Sequence, residues 1–371
     1  MLNIDFKNSI IAQDMADIDN RLCEKEKLFG KSIFVSGASG MIASYFVAYL
    51  IWLNKKYDAG IHIYAGIRNK DKAKARFGQF MSKKWFRVID TDVVAPLMDD
   101  IEFDYIIHAA SLASPQYYGK YPVETMLPNV VGTYNILEYA RRNNVAGVLF
   151  FSSGSVYGTI KEGKAIYEDI CGVMDFLSAG NEYGESKRCG ETLCKAYAKE
   201  YAIPVKMARI HHTYGPTLDI KNDTRVFSEF TGNIVRGEDI VMKSSGSAKR
   251  AFCYISDTIV GLFKILLIGK TGEAYNVGNP NEYISIAELA QTLLDLFPEK
   301  KLKVKFEKRQ DKGYNSSPEQ RILPLNVDKL KGIGWENTVD IREGFRRTVQ
   351  GIEYMLSKHI AMLSAIVIFT F

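Results

Sequence analysis

The sequence predicts an α/β fold, a doubly wound parallel sheet joined to a smaller mixed α/β lobe towards the carboxyl terminus. Three observations predict it. Short apolar runs alternate with longer amphipathic runs from Lys31 to about residue 210, the pattern of βαβ units on a parallel sheet. A glycine-containing stretch, VSGASGMIA from Val35 to Ala43, falls between the first of these strands and the first of these helices. The apolar run AGVLFFSS closes in small hydroxyls and precedes a helix carrying YGESK. The ends of such strands are where α/β proteins keep their chemistry.

Taken in order, residues 1–30 read as a polar amino-terminal extension with room for one helix. Strands are expected at SIFVSG, HIYAGI, FRVIDTDV, YIIHAAS, VLFFSSGS and PVKMARI. Helices are expected at MIASYFVAYLIWLN, DKAKARFGQFM, VVGTYNILEYARRNN and around YGESKRCGETLCKAYAKEY. Residues 31–210 are thereby assigned to a dinucleotide-binding, Rossmann-type domain. Beyond Gly215 the alternation loosens, so residues 211–350 are expected to form a substrate-binding lobe, with some segments returning to the first domain. Residues 351–371 end in the apolar run IAMLSAIVIFTF, too short to cross a bilayer as a helix and expected to pack as a terminal segment.

The composition is that of an ordinary globular chain, 47% hydrophobic and 25% charged. The net charge of +5 is spread among interspersed acids and bases, and the densest basic stretch, NKDKAKAR, is interrupted by Asp71. A nucleic-acid-binding surface is not expected. The five cysteines are odd in number and lack Cys-x-x-Cys spacing, which speaks against a disulfide framework or a zinc site. With an acid-bearing amino terminus unlike a signal peptide, this leads to an expected cytoplasmic location, with no integral membrane span and no metal.

Gly37, Gly40 and Ala43 recur at intervals of three across a strand-to-helix turn, the setting a dinucleotide fingerprint requires. Gly37 allows the tight turn, Gly40 lets a pyrophosphate approach the backbone, and Ala43 permits close helix packing. Ser39, Met41 and Ile42 stand where the opening helix presents amide donors to phosphate. The second strand ends in AGIRNKDK, with Arg68 and Asn69 where an acid would take a ribose 2′-hydroxyl. That leans towards NADP or indifference and leaves NAD and NADP both open. Asp92 is a candidate partner for the adenine amino group.

Tyr183 and Lys187 lie four apart and share one helix face. A tyrosine hydroxyl near its ordinary pKa is a poor base at neutral pH, but a neighbouring ammonium favours its ionised form. With a serine from the adjacent strand end, such a pair removes a proton from a carbinol as hydride leaves its carbon for a nicotinamide.

On GASGMIA, HAAS, NVVGTYNILEYAR, SSGSVYG, YGESK and RIHHTYGP, the chain resembles the extended short-chain dehydrogenase/reductase family of nucleotide-sugar epimerases, dehydratases and decarboxylases over roughly Lys31 to Gly351. The resemblance implies Ser153 as the catalytic hydroxyl, Tyr183 as the base and Lys187 as its partner, with Lys187 also holding the nicotinamide ribose. It further implies Val93, Ala109 and Ala110 beside a tightly bound, recycled NAD or NADP. The stretches NDTRVFSEF and SAKRAFCYISD resemble the family's nucleotide-diphosphate clamp, which assigns Arg225 and Arg250 to the substrate phosphates or nucleoside. Ser114, Ser155, Glu185 and His212 are expected to face the sugar or phosphate, and two copies to pair through a helix bundle that includes the YGESK helix.

ASPQYYGKYPVETMLPNVVGT, TYGP with RVFSEF, and RAFCYISD are similar to UDP-glucuronate decarboxylases. The chain departs from the family pattern in two places. Gly154 and Ser155 stand where dehydratases carry an Asp-Glu pair and decarboxylases a Glu, and His212 stands where the family has Asn. The expected activity is therefore oxidation at C4 of a nucleotide sugar to a 4-keto intermediate, followed by epimerisation or decarboxylation. The alternatives are a 4,6-dehydratase, a carbonyl reductase acting on a non-nucleotide substrate, and a cofactor-sensing protein of the same fold.

Overall fold

The structure is a computed structural model that describes residues 3–97, 100–160, 163–178, 180–307 and 323–368, with side chains up to residue 358. Seven parallel strands form one sheet: β1 (Ser32–Ser36), β2 (His62–Gly66), β3 (Phe86–Ile89), β4 (Tyr105–His108), β5 (Gly147–Ser153), β6 (Val205–Ile210) and, from much later in the chain, β10 (Ala274–Val277). Their order is β10-β6-β5-β4-β1-β2-β3. The chain builds outwards from β1 to β3, then returns to lay β4 on the other side of β1. The crevice beyond the carboxyl ends of β1 and β4 is therefore the switch point, where doubly wound sheets bind ligands.

Ile33, Phe34 and Val35 are all fully buried, because the sheet is covered on both faces and β1 lies inside it, between β4 and β2. Among the flanking helices, α2 (Met41–Tyr57) is buried over most of its circumference. It lies between the sheet and two further helices, α1 (Ser9–Arg21) and α7 (Ile255–Ile268), and Phe46 stacks on Phe263 at 3.8 Å. That position explains a helix with little amphipathic contrast. α3 (Lys70–Phe77) is short. α4 (Pro122–Arg142) begins earlier than the apolar spacing predicts, with Pro122 in the first turn, where its missing N–H costs no helical bond. It packs along α5 (Glu182–Glu200), and Gly190 is what permits the approach. A Cβ there would lie 2.6 Å from Phe150 and 2.9 Å from the Asn129 carbonyl.

The amino-terminal segment contributes α1 to the core. Ile11, Met15 and Ile18 are fully buried, and so is Asp14. Asp14 accepts hydrogen bonds from Tyr45 at 2.5 Å, Tyr254 at 2.7 Å and Arg347 at 3.0 Å. Burial raises its carboxyl to about 6, despite the opposing pull of those three donors.

The remaining elements are β7 (His212–Tyr214), α6 (Val226–Arg236), β8 (Ile240–Met242), β9 (Lys249–Tyr254), β11 (Tyr283–Ser285), α8 (Ile286–Leu296), β12 (Val304–Phe306), α9 (Asp328–Lys331) and α10 (Ile341–Ile368). β7 runs parallel to β9, which pairs antiparallel with β11, while β8 and β12 form a separate parallel pair. The expected packing of the apolar run 360–371 lies outside the residues described with side chains. Among the described residues no helix is long and apolar enough to cross a membrane.

Candidate active site

The first turn is built around Gly37, whose φ of 63° suits glycine and is costly for any residue with a Cβ. A Cβ there would also come within 2.7 Å of the Ala110 Cα. Ser36 explains why the two chains run so close. Its hydroxyl accepts from the backbone N–H of Ala109 at 3.1 Å and of Ala110 at 3.2 Å, and donates to His108 Nδ1 at 2.9 Å. The other ring nitrogen of His108 donates to the Pro128 carbonyl at 3.0 Å. Burial first, and then Lys187, lower His108 to about 3, so the ring is neutral and can play both parts. Ser36 and His108 were missed by the sequence reading. Their signal is a serine directly before the turn glycine and a histidine directly before the paired alanines.

Gly40 is the N-cap of α2 and makes no side-chain cap, so no side chain of that residue covers the amides of the first turn, where Met41 and Ile42 lie. Ser39 is half-buried on the turn itself, and Ala43 is buried beneath it. A backbone cradle that excludes side chains, opening onto helix amides at the switch point, fits a dinucleotide pyrophosphate. At the edge of β2, Arg68 and Asp92 face each other at 3.5 Å in an exposed pair. Asn69 caps α3 by accepting from the Lys72 N–H at 2.9 Å. Val93 is buried against Gly132 of α4, where a Cβ would meet it at 2.7 Å.

Ser153 ends β5, and its hydroxyl accepts from the Ser155 N–H at 3.1 Å, capping the single turn of 3-10 helix at Gly154–Tyr157. Alternation along the strand sends its neighbour Ser152 the other way, to Glu191 at 2.5 Å. The structure thus separates two serines that read alike in sequence. Tyr183 and Lys187 lie in the first turns of α5, 6% and 3% exposed. Burial raises the Tyr183 hydroxyl, against hydrogen bonding from Ser153, the nearby Arg225 charge and hydrogen bonding from Tyr118. Burial likewise brings the Lys187 ammonium down to about 7. Lys187 donates to the Phe151 carbonyl at 2.6 Å and lies 5.8 Å from the centre of the Tyr183 ring. The ammonium thus lies over the Tyr183 ring while it bonds the strand-end carbonyl, because a buried ammonium needs an acceptor.

The candidate substrate residues fall into two groups. His212, Arg225 and Arg250 come together around β7 and β9. The His212 ring meets Phe227 and Phe252 edge-on at 6.3 Å and 5.9 Å. Burial, followed by the charges of Arg250, His211 and Arg225, lowers His212 to about 3. Arg225 lies over Phe227 at 4.8 Å and is bound to Asp223 at 2.5 Å, and it acts on both Tyr183 and His212. Arg250 is mostly buried, which lowers it, and it donates to the Lys249 carbonyl at 2.8 Å. The others lie apart from this group. Ser114 has a buried hydroxyl without a hydrogen-bond partner among the described residues. Ser155 bonds Ser153 at 3.2 Å, and Glu185 turns to Arg188 at 3.2 Å. No cluster of metal-binding side chains occurs among the described residues.

The arrangement sets a phenol, a hydroxyl and an amine at one strand end, with two guanidiniums beyond them. It can deprotonate a carbinol beside a dinucleotide and hold an anionic group at a distance. The profile of the NAD dependent epimerase/dehydratase family matches residues 33–278. UDP-glucuronic acid decarboxylase 6 of Arabidopsis thaliana is 35% identical over 84% of this chain and 86% of its own length. UDP-glucuronic acid decarboxylase 1 of Danio rerio is 33% identical over 89% of this chain and 73% of its own length. Among solved structures, UDP-glucuronic acid 4-epimerase from Bacillus cereus, in complex with UDP-glucuronic acid and NAD, aligns with a TM-score of 0.70 at 24% identity, covering 87% of this chain and 99% of that one. The last likeness concerns the fold.

Proposed function

The chain belongs to the NAD dependent epimerase/dehydratase family, and from that premise we propose that it oxidises a nucleoside-diphosphate hexuronate at C4 of the sugar and then removes the C5 carboxylate. The observation that carries this reading is the position of Arg225, close enough to bias both Tyr183 and His212. A proton-abstracting group and a cationic clamp therefore share one cleft.

The Gly37 turn and the first amides of α2 would hold a nicotinamide dinucleotide, which would supply a reversible hydride acceptor for C4. Tyr183, ionised, takes the proton of the C4 hydroxyl while Ser153 hydrogen-bonds the same oxygen. Lys187 favours the phenolate when protonated, and its value of about 7 lets it do so near neutrality. Once C4 is a ketone, the C5 carboxylate is β to it and leaves as carbon dioxide, its bonding pair passing into a C4–C5 enolate. Tyr183 and Ser153 then donate to the enolate oxygen. Arg225, Arg250 and His212 hold the diphosphate and keep the sugar over the strand end.

We read the cofactor as NAD, because Arg68 is already paired with Asp92, an acid that would repel a 2′-phosphate. A homodimer is proposed on the exposed apolar residues Val123 and Tyr134 of α4, beside α5. Sedimentation at a single-chain mass would overturn it. A 4-epimerase is the second reading, favoured by Gly154 and Ser155, which put no carboxylate beside Ser153. The product mass after incubation with NAD and UDP-glucuronate tests the set. Loss of carbon dioxide supports the decarboxylase, and an isomer of unchanged mass supports the epimerase. Loss of water from a UDP-hexose would make the protein a dehydratase, and no reaction on any sugar nucleotide would remove the reading altogether.

A further inference from the structure

No acid follows Ser153, yet the space that a side chain at position 154 would occupy is filled. A Cβ on Gly154 would lie 2.5 Å from Cε1, 2.7 Å from Nδ1 and 3.0 Å from Nε2 of His211. The nitrogen-bearing edge of that imidazole therefore lies against the residue next to the catalytic hydroxyl. Strand register accounts for the contact. β5 and β6 pair Ser153 with Ile210, which leaves His211 beside Gly154, and the His211 N–H is held by the Val277 carbonyl at 3.0 Å.

The ring is supported from behind. Tyr157 lies beside it, with ring centroids 6.2 Å apart and planes at 29°, and donates its hydroxyl to Asn276 Oδ1 at 2.6 Å. Asn276 of β10 lies close enough to favour the charged ring, while the Arg209 guanidinium disfavours it. His212 adjoins it along the chain. Nε2 is nevertheless buried and, among the described residues, has no hydrogen-bond partner of good geometry. A buried polar nitrogen left unpaired is costly, and a ligand that pairs it recovers that cost.

We propose that His211 reads the substituent on C5 of the sugar, taking up a proton from solvent as a hexuronate carboxylate docks against it. The inference rests on the C4 chemistry proposed above. With the C4 oxygen between Ser153 and Tyr183, a group one residue beyond Ser153 meets a neighbouring ring carbon. A hexuronate and the corresponding hexose share their C3 hydroxyl and differ only at the C5 substituent. Burial holds His211 down to about 4, so it is neutral at pH 7, and an adjacent carboxylate favours the imidazolium. The charged ring has two N–H donors, one for Asn276 and one for the carboxylate. Decarboxylation consumes one proton at C5. When the carboxylate leaves, the imidazolium stands where that proton is needed and returns to its neutral form by giving it up.

Calorimetric titration of the NAD-loaded protein with UDP-glucuronate at pH 7, in buffers of different ionisation heat, tests this. The Tyr183→Phe background prevents turnover. Close to one proton taken up per UDP-glucuronate is expected, against none with UDP-glucose and none in the added variants His211→Asn or His211→Phe. In the Tyr183 protein, His211→Phe should cut the preference for UDP-glucuronate over UDP-glucose by about tenfold or more, the worth of a hydrogen bond to a charged group. Equal proton uptake with and without His211, or binding with no uptake, would overturn this inference alone. Failure of UDP-glucuronate to bind would overturn the proposed function and this inference together.

Discussion

Tyr118 lies flat against Tyr183, with ring centroids 4.7 Å apart and planes 13° from parallel. The contact covers the phenol that is to act as base, and removal from water is the largest influence on its acidity. Aromatic pairs of this geometry are worth about 0.5–1.5 kcal/mol beyond their buried area. Tyr118→Ala is therefore expected to lower kcat/KM for the sugar nucleotide by about 2- to 10-fold while NAD binding, read by fluorescence titration, stays unchanged. A loss confined to NAD affinity would contradict the assignment.

Lys187 links activity to stability with a definite sign. Its value of about 7 in the folded chain lies below the 10.5 of an ordinary lysine, so the unfolded chain binds more protons between those values. This group's penalty on folding is complete below pH 7 and vanishes as pH rises above about 10. Lys187→Met keeps the aliphatic stem, loses the bond to Phe151 and removes the buried charge. It should abolish turnover yet raise Tm at pH 7, with the gain shrinking towards pH 10. A lower Tm at pH 7 would show the bond to Phe151 to be worth more than the desolvation.

Gly37→Ala meets two obstacles at once, the φ of 63° and the Ala110 backbone at 2.7 Å. The conformational part alone costs about 1 kcal/mol, and the contact must push the two strand ends apart. NAD affinity should fall by at least about tenfold, a loss of about 1.4 kcal/mol, measured by equilibrium titration.

Arg250 distinguishes a nucleotide substrate from a simple carbonyl. Arg250→Ala should raise KM for UDP-glucuronate by about 10- to 100-fold, the worth of a hydrogen bond to a charged group, with a smaller change in kcat. Unaltered kinetics would favour a reductase of non-nucleotide substrates.

Asp14→Ala leaves the hydroxyls of Tyr45 and Tyr254 without their shared acceptor in the core. Arg347 retains Asp17 and Glu343. Breaking a buried charged network by removing one partner costs about 3–5 kcal/mol, which the midpoint of urea unfolding would report. A loss below about 1 kcal/mol would mean that water replaces the carboxylate.

The local parts of the site were legible in the sequence. Gly37, Gly40 and Ala43 lie on one strand-to-helix turn, and Tyr183 and Lys187 on one helix, so backbone geometry alone sets their spacing. Strand and helix order followed from periodicity, since each apolar run had to find a covered place on the sheet. The amino-terminal helix was harder. Asp14 and Asp19 make it look polar, and their burial is tolerable because distant tyrosines and cations meet them: Tyr45, Tyr254 and Arg347 at Asp14, Tyr49 and Lys56 at Asp19.

By itself, then, the sequence determined the doubly wound sheet, the glycine turn and the tyrosine–lysine pair, because each is written within one or two adjacent elements. Tertiary structure sent Ser152 to Glu191, joined Ser36 and His108 across two strand ends 72 residues apart, and paired Arg68 with Asp92. It also brought His211 against Gly154 and Tyr118 against Tyr183. These are contacts between segments whose separation along the chain carries no trace of their distance in space. Strand order and register set them, and the register of β5 on β6 is the physical reason an imidazole stands where the sequence has only a glycine.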